Sequence, residues 1–193
     1  MDPQKLSPSA RTAFKLIEFD KDEQLISEIR KHPVGLLFIY IGGTVITGIL
    51  LILTVAGAAL TGNTETGTGG DFSSIAPIIV VLGFILTVLS LIVTAIEAYL
   101  YRSNVVLVTS DKISQLLHQS LFNRKVSQLS IGDVQDVTIQ QQGIIPHMFN
   151  YGTLVIETAG EQQNYSFTFV PDPYKAAKDI VGAHERNLKA YGN

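Results

Sequence analysis

The side chains that could carry chemistry in this sequence are few and do not fall into a catalytic arrangement. None of the four histidines, His32, His118, His147 and His184, has partners at metal-ligand spacing, and His184 lacks the second histidine of a zinc-binding helix. The chain has no cysteine, which excludes thiolate ligands, a thiol nucleophile and disulfides. No Gly-x-Ser-x-Gly turn presents a nucleophilic serine. The sequence therefore predicts no enzyme, no cofactor and no metal site.

A different chemistry, contact with anionic lipid headgroups, is open to a few basic residues. Such contacts contribute about 1 kcal/mol for each Lys or Arg near a membrane surface. A specific inositol-phosphate pocket is disfavoured, because the basic residues are scattered and one of them follows Asp111. The candidates for weak headgroup contacts are Lys31, Arg102, Lys112, Arg124 and Lys125. For Arg124 and Lys125 the favoured interpretation is two solvated charges at the start of a strand.

Glu97 is the one ionisable residue inside the two long apolar runs of the chain. An ionisable residue within a membrane span is by default a functional candidate. Glu97 lies about one helical turn before Arg102, so we expect it at the interface, where it can pair with Arg102 or Lys31. Whether its role is functional or only interfacial stays open at this point.

The elements that must position these residues are dominated by two apolar runs, Val34–Leu60 and Ile75–Tyr101. Crossing a bilayer core of roughly 30 Å takes about 20 apolar residues, and each run exceeds that length. The first run starts too late and is too long for a secretory signal peptide. The sequence predicts a transmembrane helical hairpin over residues 34–101, with a connecting loop at 61–74.

Charge sets the predicted orientation of this hairpin. The loop 61–74 has no Lys or Arg, whereas Arg30 and Lys31 precede the first helix and Arg102 follows the second. The positive-inside rule then places both termini in the cytoplasm and the loop outside, in a multi-pass protein of the cytoplasmic membrane. The flanks are neutral overall, which argues against a nucleic-acid partner.

Small residues within the first run, the pairs Gly43/Thr47 and Thr44/Gly48, predict a close helix contact. The second helix of the hairpin is the favoured partner for this seam. A homo-oligomer contact is the alternative.

The residues before the hairpin, 1–33, are predicted to be cytoplasmic. Residues 1–11 resemble a disordered start, and the spacing of Leu25, Ile26 and Ile29 suggests a short amphipathic segment in the membrane interface. An equally weighted alternative is that these apolar residues pack on the soluble domain.

The residues after the hairpin, 102–193, change from helical to strand periodicity. Alternating runs predict strands at 105–109, 113–118, 124–131, 134–141, 152–157 and 163–170, with a loop around Gly143 and Pro146. Asp172 and Pro173 then suit the N-cap and first turn of a helix. Its predicted apolar face comprises Tyr174, Ala177, Val181, His184, Leu188 and Tyr191. The prediction is a small α+β domain with one core.

A family resemblance agrees with this order of elements. It rests on the hairpin followed by Tyr101-Arg-Ser-Asn-Val-Val-Leu-Val-Thr109, Leu121-Phe-Asn-Arg124, Ile131-Gly-Asp-Val-Gln-Asp-Val137, Phe149-Asn-Tyr-Gly-Thr-Leu154 and Phe169-Val-Pro-Asp-Pro173. Over roughly 34–181 the chain resembles the bacterial pleckstrin-homology-like (PH-like) membrane proteins, often called YdbS-like. The resemblance implies two antiparallel sheets forming a partly open barrel or sandwich, capped by the C-terminal helix. The family commonly has Arg where this chain has Lys112, which weakens a phosphate contact there.

Two functional hypotheses follow. In the favoured one, the two membrane helices present a non-catalytic PH-like scaffolding domain that recruits an unidentified protein or contacts anionic lipid. The alternative is an oligomeric transport, channel or membrane-complex subunit assembled through the hairpin. Both runs are almost uniformly Leu, Ile, Val, Gly and Thr, which disfavours a polar pore. A membrane enzyme ranks third.

Overall fold

The computed structural model describes residues 6–20, 22–62, 75–158 and 165–191. These residues belong to two compact units. The sheet unit comprises the residues up to Gly35 together with those from Leu100 onward, and the helical unit comprises Leu36–Tyr99. Most of the predicted loop 61–74 lies outside the described residues, as does the start of the last predicted strand.

Two long apolar helices, α2 (Pro33–Gly62) and α3 (Ala76–Ser103), occupy the predicted hairpin. At 30 and 28 residues they have the length and composition needed to cross a membrane, since about 20 apolar residues suffice. Proline occurs in the first turn of each helix, where its missing N–H has no intrahelical partner.

The predicted small-residue seam joins α2 to α3 inside the helical unit. A Cβ built on Gly43 would collide with Thr94, and one built on Gly83 would collide with Thr54. The hydroxyls of Thr47 and Ser90 lie 3.1 Å apart, within hydrogen-bond distance. The Gly43/Thr47 prediction is therefore confirmed, whereas Gly48 has no side chain near it and takes no part in the seam.

The sheet unit contains two antiparallel sheets. The first has the order β1-β2-β3-β4 and the second the order β5-β6-β7. The strands are β1 (Leu25–Arg30), β2 (Val105–Thr109), β3 (Lys112–His118), β4 (Arg124–Ser130), β5 (Val134–Gln140), β6 (Tyr151–Thr158) and β7 (Tyr165–Pro171). All six predicted strands are present, with shifted ends. Among the described residues the sheets do not close into a barrel, because a 3₁₀ turn at Ile131–Asp133 separates β4 from β5.

The segment before the hairpin differs from its predicted interfacial form. Residues 25–30 form strand β1, which pairs with β2 so that Arg30 lies opposite Val105. The predicted helical spacing is wrong because a six-residue apolar pattern fits either period. The alternative, packing on the soluble domain, is confirmed.

Part of the predicted disordered start is also folded. Helix α1 (Pro8–Leu16) begins at Ser7, whose Oγ accepts a hydrogen bond of 3.2 Å from the Ala10 N–H. Its buried side chains Ala10 and Ala13 cover one face of the first sheet and pack with Val105 and Leu107 of β2. The small side chains of Ala10 and Ala13 allow α1 to pack closely on the sheet. The alternating pattern of the predicted strands contains no signal for this packing.

The main core lies between the two sheets and helix α5 (Pro173–Tyr191). The predicted N-cap is confirmed, since the Lys175 N–H donates to Asp172 Oδ1 at 3.4 Å. The predicted face of α5 is partly wrong, because Tyr174 and Val181 are exposed. The buried residues include Ile180, which fills the core, and Ala176, Ala177 and Ala183, whose small side chains allow the helix to approach the sheets.

One further helix, α4 (Ile144–Phe149), occupies the predicted loop around Gly143 and Pro146. Gly143 adopts a φ of 95°, which glycine tolerates, and Asn150 closes the helix in the left-handed conformation. Of the two turn residues recognised in the sequence, Gly143 therefore precedes the start of this short helix, and Pro146 lies within its first turn.

Candidate functional site

The two covalent passages between the sheets and the apolar helices lie side by side within the sheet unit. The chain leaves β1 through Lys31 and His32 into α2, and returns from α3 through Ser103 and Asn104 into β2. Because β1 and β2 are hydrogen-bonded neighbours, with Arg30 opposite Val105, both passages occur at the same end of the first sheet. This end is called the junction below.

His32 is the most highly connected residue of the junction. Its N–H donates to the carbonyl of Phe169 at 2.6 Å, and its own carbonyl accepts from Tyr101 Oη at 2.7 Å. Its Nδ1 accepts from the Val34 N–H at 3.2 Å, which requires an unprotonated Nδ1. Burial lowers the pKa of His32, in agreement with a neutral ring.

Aromatic rings surround this histidine. The imidazole of His32 stacks on Tyr151 at 5.6 Å between centroids, Tyr151 stacks on Phe169 at 5.2 Å, and Phe169 meets Tyr101 edge-on at 5.9 Å. Phe169 has a φ of 58°, an uncommon conformation for a residue with a side chain, next to a register shift between β6 and β7. This bulge directs its carbonyl toward His32 and places Val170, rather than Phe169, in the core.

Lys31 extends over the same aromatic cluster. Its Nζ lies 5.1 Å from the centroid of Tyr101 and 5.9 Å from that of Phe167, and it donates to Thr168 Oγ1 at 3.3 Å. Partial burial lowers the pKa of Lys31. The cation is held on ring faces, where the aromatic quadrupole attracts it.

The five predicted headgroup residues divide between the two ends of the first sheet. Lys31 and Arg102 flank the junction, and Arg124 pairs with His118, whose N–H donates to Asn104 Oδ1 at 2.6 Å. Arg124 and Lys125 are therefore at the junction end, and both are exposed. Lys112 begins β3 at the opposite end, about 20 Å away at roughly 3.3 Å per residue.

Lys112 is engaged by protein groups. Its Nζ lies 3.4 Å from Glu23 Oε2, contacts the carbonyl of Glu18 and sits 5.3 Å from the ring centroid of Phe19. Glu23 is fully buried and also accepts a hydrogen bond from Thr109. This ion pair ties the N-terminal segment to the β2–β3 turn, and sequence reasoning missed it because the partners are 89 positions apart.

Three carboxylates near this ion pair come together in space. One oxygen from each of Asp20, Glu23 and Asp111 lies within 4.8 Å of the others. The two oxygens of Glu23 are already bonded, to Thr109 and to Lys112 and the Asp20 N–H. The cluster is thus accounted for by the contacts that fix the N-terminal segment.

Glu97 is exposed on α3, inside the helical unit. It lines a groove of about 400 Å³ together with Ser90 and Thr94 of α3 and Gly42 and Gly43 of α2. Its pairing with Arg102 or Lys31 stays a prediction.

Exposed apolar side chains outside the long helices concentrate in two segments of the sheet unit. Phe122, in the five-residue β3–β4 connection, is 98% exposed, and Leu121 beside it is also exposed. Helix α4 exposes Ile144, Ile145, Met148 and Phe149. The sequence did not predict that either segment is exposed, because segments this short do not reveal which face the fold buries.

Comparisons with known proteins place these observations in a family context. A family model described as "Bacterial PH domain" matches residues 34–181, which includes both apolar helices, β2 to β7 and about half of α5. A crystal structure of a DUF1696 family protein with a pleckstrin-homology domain, from Shewanella loihica PV-4, is similar at 15% identity. The alignment covers 42% of this chain and 70% of that one, with a TM-score of 0.33. No curated protein matches this chain.

Proposed function

Since this chain belongs to the bacterial PH domain family, we propose that it holds a non-catalytic PH-like binding module at the cytoplasmic face of the membrane. The apolar hairpin is the anchor in this proposal, and the two sheets with α5 are the module. The module recruits a protein partner to the membrane surface.

The observation that carries the proposal is the place of the hairpin in the fold. Helices α2 and α3 are inserted between β1 and β2, two neighbouring strands of one sheet. The side chains of both helices are overwhelmingly apolar and exposed. Contiguous exposed apolar surface of this kind is rare in soluble monomers and marks a site of interaction with a membrane or a protein. A bilayer supplies the environment that such a surface needs, and it anchors the module through two attachments.

The distribution of charge supports the proposed orientation. Lys31, Arg102, Arg124 and Lys125 gather at the junction end, where the helices leave the sheet unit. Basic residues next to the ends of membrane helices favour the cytoplasmic side.

A route for partner recruitment is the free edge of the first sheet. Among the described strands, β4 pairs with β3 alone, so its outer backbone groups remain available. Its side chains are mostly exposed. A partner strand can add to such an edge through main-chain hydrogen bonds.

Membrane topology is tested on the full-length chain in its host. We expect the protein to remain in the membrane fraction after alkaline carbonate washing, with tags at both termini inaccessible from the periplasmic side. Release by carbonate, or a terminus labelled from outside, would contradict the proposed anchor or its orientation.

Partner recruitment is tested by photo-crosslinking from a single residue. A photoreactive amino acid replaces Gln128 on β4, and a control replaces the exposed Arg186 on α5. We expect a discrete protein adduct from position 128 and not from 186. Identical patterns from the two positions would exclude the β4 edge as the docking site.

The alternative function, an oligomeric transport or channel subunit, is supported by one observation. Ser90, Thr94 and Glu97 place polar groups along one groove between α2 and α3. Ion or solute flux through vesicles that contain the purified protein, lost in Glu97→Gln, would favour this alternative.

A further inference from the structure

We propose that the junction end of the sheet unit is itself a lipid-binding surface. In this proposal the β3–β4 tip and α4 insert apolar side chains into the interface of the bilayer that holds α2 and α3. Arg124 and Lys125 contact anionic headgroups beside them. The inference rests on the proposed membrane anchor and adds a binding surface to the module. The surface is named the rim and consists of Leu121, Phe122, Ile144, Ile145, Met148 and Phe149.

The β3–β4 tip is tied to the end of α3 by contacts within the sheet unit. Asn104 follows Ser103, the last residue of α3, and its Oδ1 accepts from the N–H of His118 at 2.6 Å. His118 is the last residue of β3, so the tip begins where the chain leaves the helix. On the proposed function, the bilayer surface lies within a few residues of this point by covalent connectivity.

The tip is an ordered turn. The N–H of Gln119 donates to the carbonyl of Asn123 at 2.9 Å, and the N–H of Asn123 donates to Ser120 Oγ at 3.0 Å. These bonds hold Leu121 and Phe122 at the apex. Phe122 is therefore presented outward by a closed hairpin, which lowers the conformational entropy lost on insertion.

Helix α4 is tied in the same way to the start of α2. It ends at Phe149, two residues before Tyr151, and the ring of Tyr151 stacks on His32. His32 immediately precedes α2. Positions 144, 145, 148 and 149 recur at helical spacing, so the exposed apolar side chains form one face. Ile144 is 78% exposed and Met148 73%.

Exposure and charge both favour a bilayer as the occupant of the rim. Six of the ten exposed large apolar side chains in the described part of the sheet unit belong to these two short segments. The sequence has no acidic residue in 118–126 or in 141–150, while Arg124 and Lys125 follow the tip directly. Two acidic groups on elements that reach the junction are engaged by the protein: Glu28 pairs with Arg30 at 3.5 Å, and Asp172 caps α5. An apolar apex with a basic margin is complementary to an anionic membrane surface.

The chain contains no tryptophan, so a single introduced tryptophan reports on one position. Full-length variants Phe122→Trp and Met148→Trp are reconstituted into vesicles of phosphatidylcholine with one quarter phosphatidylglycerol. The lipids carry bromine on their acyl chains near the headgroup. We expect at least twofold quenching of both tryptophans relative to unbrominated vesicles. The matched control Val181→Trp, on the exposed side of α5, is expected to remain unquenched.

A fourth variant separates failure of this inference from failure of the membrane anchor. Ile49 is exposed near the middle of α2, and Ile49→Trp is expected to be quenched by deeply brominated lipids. If it is not quenched, the proposed anchor fails and the rim proposal fails with it. If it is quenched while Phe122→Trp behaves like Val181→Trp, the anchor stands and the rim proposal is overturned. A protein photo-crosslinked from position 122 would then identify the rim as a protein interface instead.

The headgroup contacts are tested by removing the positive charge from the protein or the negative charge from the lipid. In the Phe122→Trp background, Arg124→Gln with Lys125→Gln is expected to reduce quenching at least twofold in the anionic vesicles. Vesicles of phosphatidylcholine alone are expected to produce the same reduction without mutation. Unchanged quenching in both experiments would overturn the part assigned to Arg124 and Lys125. Circular dichroism of each variant checks that the fold is retained.

Discussion

The phenol of Tyr101, two residues before the end of α3, donates a 2.7 Å hydrogen bond to the backbone carbonyl of His32, just before α2 begins. The two residues are 69 positions apart in sequence, and one bond joins the entrance of the helical hairpin to its exit. The same carbonyl also accepts from the N–H of Gly35 at 3.1 Å. The strength of this junction can be measured residue by residue.

Removing the phenol hydroxyl should weaken the junction modestly. Tyr101→Phe deletes one hydrogen bond but leaves the His32 carbonyl bonded to Gly35, so we expect a loss of about 1 kcal/mol in the free energy of unfolding. Denaturant unfolding in mild detergent measures it. Tyr174→Phe, at an exposed tyrosine of α5, is the control and should change stability by less than about 0.5 kcal/mol. Equal effects at both tyrosines would show that the bond contributes nothing.

Gly35 should tolerate no side chain, because a Cβ at this position would collide with the ring of Tyr101. We expect Gly35→Ala to destabilise the protein by about 1–3 kcal/mol, as overpacking does. Gly48→Ala is the matched control, since no atom lies within 4 Å of a Cβ built there. Combining Gly35→Ala with Tyr101→Ala should cost less than the sum of the single changes. Strict additivity would refute the collision.

The stability of the sheet unit should depend on pH through His32. Burial lowers the pKa of the folded imidazole below its ordinary value of 6.5, so the unfolded chain takes up the proton first as pH falls. The contribution of His32 is fully present above pH 6.5 and is lost as the pH falls through the lowered, folded pKa. Denaturant midpoints between pH 5 and 8 measure this slope. His32→Asn should flatten it, and an unchanged slope in that variant would contradict the assignment to His32.

The buried ion pair of Glu23 should contribute more to stability than any exposed pair. Glu23→Gln removes the charge opposite Lys112 from a site without solvent, and we expect a loss of about 1–3 kcal/mol. Glu185→Gln, at an exposed position of α5, is the control and should be nearly neutral. Thermal unfolding compares the two variants. A neutral Glu23→Gln would mean that Lys112 finds an equivalent partner in solvent.

Much of the fold could be predicted from periodicity, and the exceptions have physical causes. The six strands after the hairpin and the cap of α5 by Asp172 follow from alternation and from capping chemistry. Strand β1 could not be predicted in this way, since six residues from Leu25 to Arg30 fit two periods and their partner strand begins only at Val105. Helix α4 was missed because Gly143 and Pro146 resemble a loop, although proline is tolerated in a first helical turn.

The candidate site was predictable only in part. Lys31 and Arg102 could be predicted as candidate headgroup contacts because they flank the two apolar helices. The structure adds that Arg124 and Lys125 lie at the same end of the first sheet. Lys112 lies at the opposite end of the sheet from these four residues, because it begins β3. Composition alone does not encode the direction of a strand. The aromatic cluster around His32 draws its members from four distant segments, and no local pattern connects them.

The insertion of both apolar helices between two neighbouring strands dictates an order of assembly. Strand β1 is synthesised early, but β2 leaves the ribosome only after residues 31–104 have been made. Closing so long a loop in solution carries an entropic cost that grows with its length. If the hairpin is anchored in a bilayer as proposed, its two ends are brought together beforehand, and the membrane would then act as a template for the first sheet. On the same proposal, a chain whose helices fail to insert would leave β1 without its partner strand, and an unpaired strand edge can pair with other chains and promote aggregation.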